Sequence, residues 1–374
     1  MSDAFQAPRG TLDWLPDRQA ARQAMVERFR ALCEGAGYRE VATPVFEDKA
    51  LFARTAGESS EVVGKEMYLF EDQGERTMAL RPEFTASLVR LYLDHGLSRE
   101  AQPVRVWCSG SCYRYAAVQR GRYREFTQVD AEAIGSDDPA VDAELIALQL
   151  RWYASLGLEG IDLRINTVGD RGDREPYLEL LRAYLDAHLG EVDDDVRRQR
   201  DLNPLRAFDT KDPASQAVMT GAPKIADHVS PEAREHFAAV RAFLDARGIA
   251  YTVDPTLVRG LDYYTRTTWE VAWPELGAQS GIGGGGRFSA DARPDLHALL
   301  DRARDAGLVC EADLAGRAAK GQFKQADRIG AARTVVCGDD EWARRACLVR
   351  DMASGEQTEV PLDALVAHLI DAKG

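Results

Sequence analysis

A chain of 374 residues has room for two or three domains, and 45% hydrophobic with 29% charged residues is the balance of an ordinary soluble globular protein. No apolar run reaches the ~20 residues of a membrane span and the start, MSDAFQAPRG, lacks a secretory apolar core. A net charge of −14 argues against generic nucleic-acid affinity while leaving room for a local basic track.

Residues 7–16 (APRGTLDWLP) make a turn-rich opening with two prolines. Over 17–35, Met25, Val26, Phe29, Leu32 and Cys33 fall on one stripe, which predicts an amphipathic helix closed by Gly37. Residues 38–45 predict a strand, and Pro44 inside it belongs at a sheet edge or a seam between subunits. Short strands over 65–70 and 77–80 predict a hairpin that runs straight into Arg81-Pro82-Glu83-Phe84-Thr85 and a helix over 86–94. Polar groups at such a handover often face a ligand, because the sheet end is open there. The competing reading is that Thr85 caps the helix and Glu83 pairs with Arg81.

Residues 105–135 (RVWCSGSCYRYAAVQRGRYREFTQVDAEAIG) open on a strand-like apolar run and pass through a loop carrying Arg114, Arg120, Arg122 and Arg124. They return as a strand over 125–134, where period two puts Phe126, Gln128, Asp130 and Glu132 on one face. Such a hairpin presents cations to one side of a sheet, and guanidinium forks match phosphate oxygens. Gln128 and Glu132 would line a common floor suited to a polar ligand with a positive group. A solvated basic hairpin is the bland alternative.

A helix over 139–156 and a strand over 161–168 follow. Two helical stretches, 175–189 and 231–247, then flank a basic middle, 197–211, and read as a helical insertion. The sheet resumes at Tyr251, with Arg259 in a Gly-flanked turn and a strand from Tyr263 and Tyr264 toward Trp269 and Val271. Glycines 283–286 run into Arg287; they permit close approach to the backbone or simply a flexible turn. The run is not GxGxxG opening a helix, so a dinucleotide fold is rejected. From Pro294 the pattern becomes α/β: helix 295–306, strand 308–313, helix 322–330, strands 334–338, 346–350 and 357–360, helix 362–370. Cys33, Cys108, Cys112, Cys310, Cys337 and Cys347 mostly sit in apolar runs, with no second pair at metal-ligand spacing, and read as reduced cytoplasmic thiols.

These segments, in this order, resemble the histidine–tRNA ligases, which are class II aminoacyl-tRNA synthetases. APRGTLDWLP resembles the family's N-terminal signature, TPVFE its dimer-forming first motif, and LRPEFTA its histidine-site segment. CYR…GRYREFTQVDAEAIG resembles the second class motif, LVRGLDYYTRTTWE the segment peculiar to histidine enzymes, and GGGGR the glycine strand. NPLRAFDTKDP is similar to the insertion domain, and AGRAAKGQFKQADRIGA with DMASGEQTEVPLD to the anticodon-binding domain. The resemblance implies an α+β fold, with an antiparallel catalytic sheet and flanking helices over 1–168 and 251–293. It implies a helical insertion over 169–250 and a small, truncated α/β domain over 294–374.

It also implies roles. Arg114 and Arg259 would flank the α-phosphate of ATP, and Arg122 would reach the outer phosphates. Glu83, Gln128 and Glu132 would take the α-ammonium and imidazole of histidine, with Phe84, Thr85, Tyr263 and Tyr264 completing the pocket. Gly284, Gly285 and Arg287 would lie along ATP, with Mg2+ arriving on the phosphates. The expected partners are histidine, ATP, tRNA(His) and a second copy of the chain, in the cytoplasm and away from membranes. No histidine falls in a motif, so neither a zinc site nor a histidine base is expected.

The chain departs from the pattern in three places. Ala116 and Ala117 replace an acidic residue and an arginine, and Phe288 replaces a tyrosine. After Phe288 the chain passes directly to a helix resembling the middle of the last domain, so about 40 residues holding the third class motif are absent at typical element lengths. That loss would expose sheet edges and remove an arginine from the triphosphate, a cost of about 3 kcal/mol or more. The ligase reading therefore carries an expectation of impaired activity. Its rivals are a histidine-sensing paralogue similar to the ATP phosphoribosyltransferase regulatory subunit, and an internally deleted gene. The paralogues lack an anticodon-binding domain, which this tail resembles.

Overall fold

The computed structural model describes residues 5–56, 66–119, 121–258, 263–277, 280–288, 308, 323, 326–336, 344 and 346–371. Residues 309–313 of the expected strand, the helix at 295–306, and Arg259 and Arg120 lie outside the described residues. The chain divides into two compact units, Met1–Ala290 and Asp291–Gly374.

In the first unit the 105–135 segment forms two ten-residue strands, β5 (Val104–Tyr113) and β6 (Glu125–Ile134). They pair antiparallel along their full length, from Val104 opposite Ile134 to Tyr113 opposite Glu125. The expected strand over 38–45 is split. Only β1 (Arg39–Glu40) joins this sheet, parallel to β5, and β2 (Phe46–Asp48) belongs to another. Pro44 sits between them, where its missing N–H breaks the ladder. Helix α1 (Pro16–Gly35) begins on a proline and ends just before the left-handed Gly37. It covers one face of the sheet through Phe29 and Cys33, which pack with Trp107 and Tyr38.

The second sheet of this unit joins β2, β4 (Thr77–Leu80) and β3 (Leu69–Glu71), and β4 leads into α3 (Thr85–Asp94). The third runs in the order β10 (Gly281–Phe288), β9 (Tyr264–Ala272), β7 (Asp162–Thr167), β8 (Thr252–Val253). Helix α2 (Lys49–Ala56) follows β2, and α4 (Pro139–Ser155) starts on Pro139 behind an Asp138 side chain that caps Ala140 N at 2.8 Å. Helices α5 (Arg171–Ala187), α6 (Asp194–Leu202) and α7 (Pro213–Gly221) share a core of Tyr177, Leu181, Leu185, Val196 and Met219. Helix α8 (Pro231–Ala246) instead sends Phe237, Val240 and Leu244 into a core with Ile146 of α4 and Trp269 of β9. No described helix is long and apolar enough to cross a membrane.

The basic middle does not present a field of free cations. Arg197 pairs with Asp194, Arg198 with Asp195, Arg200 with Asp186 and Asp201, and Arg206 with Asp209. Asp186 comes from α5 and Asp194 and Asp195 from the first turn of α6, outside the basic stretch, while Asp201 and Asp209 lie within it.

The second unit is described in part. Strands β11 (Arg333–Val336), β12 (Ala346–Asp351) and β13 (Gln357–Pro361) form an antiparallel sheet. Cys347, Val349 and Val360 meet Leu362 and Leu365 at the start of α9 (Leu365–Asp371). The four described cysteines, Cys33, Cys108, Cys112 and Cys347, are buried.

One buried polar cluster ties α4, α8, β9 and β10 together. Asp142 accepts from His236 Nε2 at 2.8 Å and from Arg287 Nη2 at 2.8 Å. Arg287 also donates to Ser136 O at 2.6 Å and Asp138 O at 2.9 Å. Burial pushes the Asp142 carboxyl up, but the bonds from His236, Arg287 and Thr267 outweigh it and hold it below the usual carboxylate range. The stability this contributes is present above about pH 4 and lost as pH falls through the depressed value. Asp142→Ala leaves a buried guanidinium unpaired and should cost roughly 3–5 kcal/mol. Urea unfolding at pH 7 and at about pH 2.5 should show a smaller gap between wild type and variant in acid.

Candidate active site

The candidate site is built where β4 hands over to α3, above the β5–β6 floor. Glu83 is buried, and its carboxylate accepts from the backbone amides of Thr85 at 2.6 Å and Ala86 at 2.9 Å. It therefore serves the first amides of α3, where the helix dipole favours a negative group. This replaces the alternative in which Thr85 caps and Glu83 pairs with Arg81. Arg81 is buried too, donating to the carbonyls of Ser111, Thr43 and Pro44 and lying 4.3 Å over the Phe84 ring.

Thr85 points its hydroxyl at the floor, donating to Glu132 Oε1 at 2.7 Å. Beside Glu132 on the same face of β6, Asp130 accepts from Gln128 Nε2 at 3.3 Å. Tyr263, just ahead of β9, hydrogen-bonds to Thr85 and faces Glu83 and Glu132. Its ring meets Tyr264 at 4.7 Å and Phe288 at 6.0 Å. The alternation rule thus brings Gln128 and Glu132 together with Glu83, Thr85 and Tyr263, from three separate stretches of chain.

Electrostatically the floor is negative. Burial pushes Glu83 up, while the amides of Ala86 and Thr85 and the Arg114 guanidinium pull it back only in part. Burial and then Asp130 push Glu132 well up. Burial, followed by the neighbouring Tyr264 and Glu83, does the same to the Tyr263 phenol.

The arginine loop closes the hairpin, joining Tyr113 of β5 to Glu125 of β6. Arg114 Nε donates to Pro82 O at 2.9 Å, and its guanidinium lies 5.2 Å from the Phe126 ring. Arg122, near half exposed, pairs with Glu66 at 3.8 Å. Arg124 is structural: it stacks 3.7 Å over Tyr115, and its backbone amide donates to Gly10 O at 2.7 Å. Gly10 has φ +88° and a Cβ there would come 2.7 Å from the Arg124 side chain, so the N-terminal turn braces the loop.

Two residues expected along ATP also have structural partners. Arg287 is engaged through Nε, Nη1 and Nη2 with Asp142 and the carbonyls that open α4. Gly285 owes its missing side chain to Trp269, and Gly286 to Tyr264, whose ring a Cβ would meet at 2.5 Å. There the glycine strand admits the protein's own aromatics. Asp142 and His236 were invisible as positioning residues because their partners lie 94 and 145 positions away.

The family model described as "Histidyl-tRNA synthetase" matches residues 10–293, and the one described as "Anticodon binding domain" matches residues 285–371. The chain belongs to the histidyl-tRNA synthetase family. A histidine–tRNA ligase of Rubrobacter xylanophilus is 41% identical, covering 96% of this chain and 97% of its own. That alignment spans 411 positions against 374 residues here, so at least 37 of the relative's positions have no counterpart. Among solved structures, apo histidyl-tRNA synthetase of S. aureus matches with TM-score 0.61 and 32% identity, over 98% of this chain and 99% of that one. A Bacillus halodurans structure titled ATP phosphoribosyltransferase regulatory subunit/histidyl-tRNA synthetase shares the fold, at TM-score 0.52 and 21% identity, over 86% and 96%.

Within this family member, Thr85 is the hinge of the polar floor. Thr85→Val keeps the shape but strips Glu132 of its donor, which should cost about 1–3 kcal/mol in urea unfolding. An unchanged midpoint would mean that the hydroxyl contributes nothing there.

Proposed function

We propose that this chain activates histidine with ATP and transfers it to tRNA(His), and that the floor around Glu83, Gln128 and Glu132 is its histidine pocket. The observation that carries this is a buried, carboxyl-lined floor beneath an arginine-bearing loop. Anionic groups below suit the α-ammonium and the ring N–H groups, and cations above suit phosphate. Buried polar partners reject an analogue that cannot satisfy them, which is how several groups serve one small side chain.

In the reaction a histidine carboxylate oxygen attacks the α-phosphorus of ATP. A new O–P bond forms, the bond to the β-phosphate oxygen breaks, and pyrophosphate leaves. Negative charge gathers on the α-phosphoryl oxygens, and preorganised guanidinium groups stabilise it there without reorganising. Arg114 is suited to this because Pro82 O and the Phe126 ring hold it above the floor. Arg259 is assigned the opposite side of the phosphate by sequence match. Arg122, extending from the loop beside Glu66, suits the outer phosphates of ATP, which enters with its magnesium. Tyr263 donates toward the histidine end of the pocket, with Phe84 and Tyr264 closing it, and Gly284 is the remaining candidate for backbone approach to the nucleotide.

The regulatory-subunit reading is not favoured, since the tail matches an anticodon-binding domain. The dimer and the cytoplasmic setting belong to the proposal. The dimer draws support from exposed Phe46, in the segment that resembles the dimer motif, which meets exposed Phe70 of β3 edge-to-face at 5.7 Å on the β2–β4–β3 sheet.

Histidine-dependent exchange of labelled pyrophosphate into ATP tests the assignment. The chain should support exchange with histidine alone among amino acids, and Arg114→Ala should lower kcat about 10²–10³-fold. Exchange that is indifferent to histidine, or intact in Arg114→Ala, would overturn it.

A further inference from the structure

Tyr263 and Tyr264 are neighbours in sequence but serve different parts of the fold. Tyr263 hydrogen-bonds to Thr85 and faces Glu83 and Glu132. Tyr264 is buried in the core of the helical insertion, with Val168, Tyr177 and Leu181. The Arg174 side chain, near the start of α5, donates to Tyr264 O at 2.9 Å. The insertion is therefore seated on the residue next to one that faces the floor.

Just past this pair β9 is irregular. Thr265 lies opposite Arg287 and Thr268 opposite Gly286, so β9 carries two extra residues, Arg266 and Thr267, against a single step of β10. Arg266 has φ +52°, in the left-handed region that a residue with a side chain rarely adopts unless its surroundings hold it there. The holders are three consecutive residues leading into α5. The Arg266 amide donates to Gly169 O at 2.6 Å, and its carbonyl accepts from Val168 N at 2.7 Å. Its guanidinium forks onto Asp170, with Nε to Oδ1 at 2.9 Å and Nη2 to Oδ2 at 3.3 Å. Asp170 is the N-cap residue of α5. Bulges bend a strand and re-aim the side chains beside them. Here the residue that opens the insertion grips the bend.

We propose that Arg266 is a positioning residue of the histidine pocket, setting Tyr263 over the floor through its grip on Asp170 and so coupling the helical insertion to histidine binding. This rests on the reading of the floor as a histidine site. Arg266 acts through the chain, since Thr265 and Tyr264 separate it from Tyr263. The competing account is an ordinary surface ion pair. The two side chains are 26% and 39% exposed, and so wet a pair adds little to global stability. Breaking it should therefore leave the chain folded, and the two accounts part company at the pocket.

Calorimetric titration of the full chain with histidine, and separately with ATP, tests this beside thermal unfolding. Arg266→Gly accepts the left-handed backbone and removes the fork. It should bind histidine about fivefold more weakly, bind ATP as before, and unfold close to the unmodified midpoint. Asp170→Asn should weaken histidine to the same extent, and the double variant no further, because each breaks the same link. Arg266→Lys, a single donor in place of a fork, should recover part of the affinity. Histidine affinity unchanged in Arg266→Gly, or lost in parallel with that for ATP, would overturn the proposal, and so would losses that add in the double variant. Should Arg266→Gly fail to fold, unchanged histidine affinity in Asp170→Asn overturns it, and a loss confined to histidine upholds it. An unmodified chain that gives no histidine-binding heat at all would overturn the pocket reading beneath it.

Discussion

The structure turns on three carboxyl groups, Asp130 and Glu132 along β6 and Glu83 in the turn before α3. Removing carboxylates from water is costly, and here the protein supplies hydrogen bonds to all three, with Arg114 adding charge near Glu83 alone. Glu83 is held by two amides of α3, Glu132 by Thr85, and Asp130 by Gln128. Amides and hydroxyls make the charge tolerable without cancelling it. A ligand that brings its own positive group thus meets unspent attraction, whereas a built-in salt bridge would already have consumed it.

The rest of unit one holds that floor still. The β5–β6 pairing fixes which residues face upward, since a slip of one position would turn Gln128, Asp130 and Glu132 to the other side. Helix α1 backs the sheet through Phe29 and Cys33. The Asp142–His236–Arg287 cluster locks α4 and α8 to the glycine strand, whose last residue, Phe288, touches Tyr263. Distant residues thereby set the position of a ring that faces the floor.

Much of this was legible in the sequence where the signal is local. Strict alternation over 125–134 gave a strand with the observed face, and the apolar pattern over 139–156 matched α4. What escaped depends on partners remote in sequence. Glu83 could equally have paired with Arg81 until the backbone showed α3 beginning at Thr85. The resemblance set Arg287 along ATP, and nothing local in the sequence announced its bond to Asp142. The glycines suggested room for a ligand, yet Gly285 and Gly286 make room for Trp269 and Tyr264. The arginines of 197–206 looked like a basic track until folding set the carboxylates of α5 and α6 beside them.

The central claim is that this floor selects histidine, and ligand-linked stability tests it without requiring catalysis. A ligand bound only by the folded chain stabilises it by about 2.7 kcal/mol at a hundred times its Kd. Thermal unfolding should therefore move upward with histidine, saturably, and stay in place with asparagine, glutamine or phenylalanine. Equal shifts from all four, or none from histidine at millimolar concentration, would contradict the account.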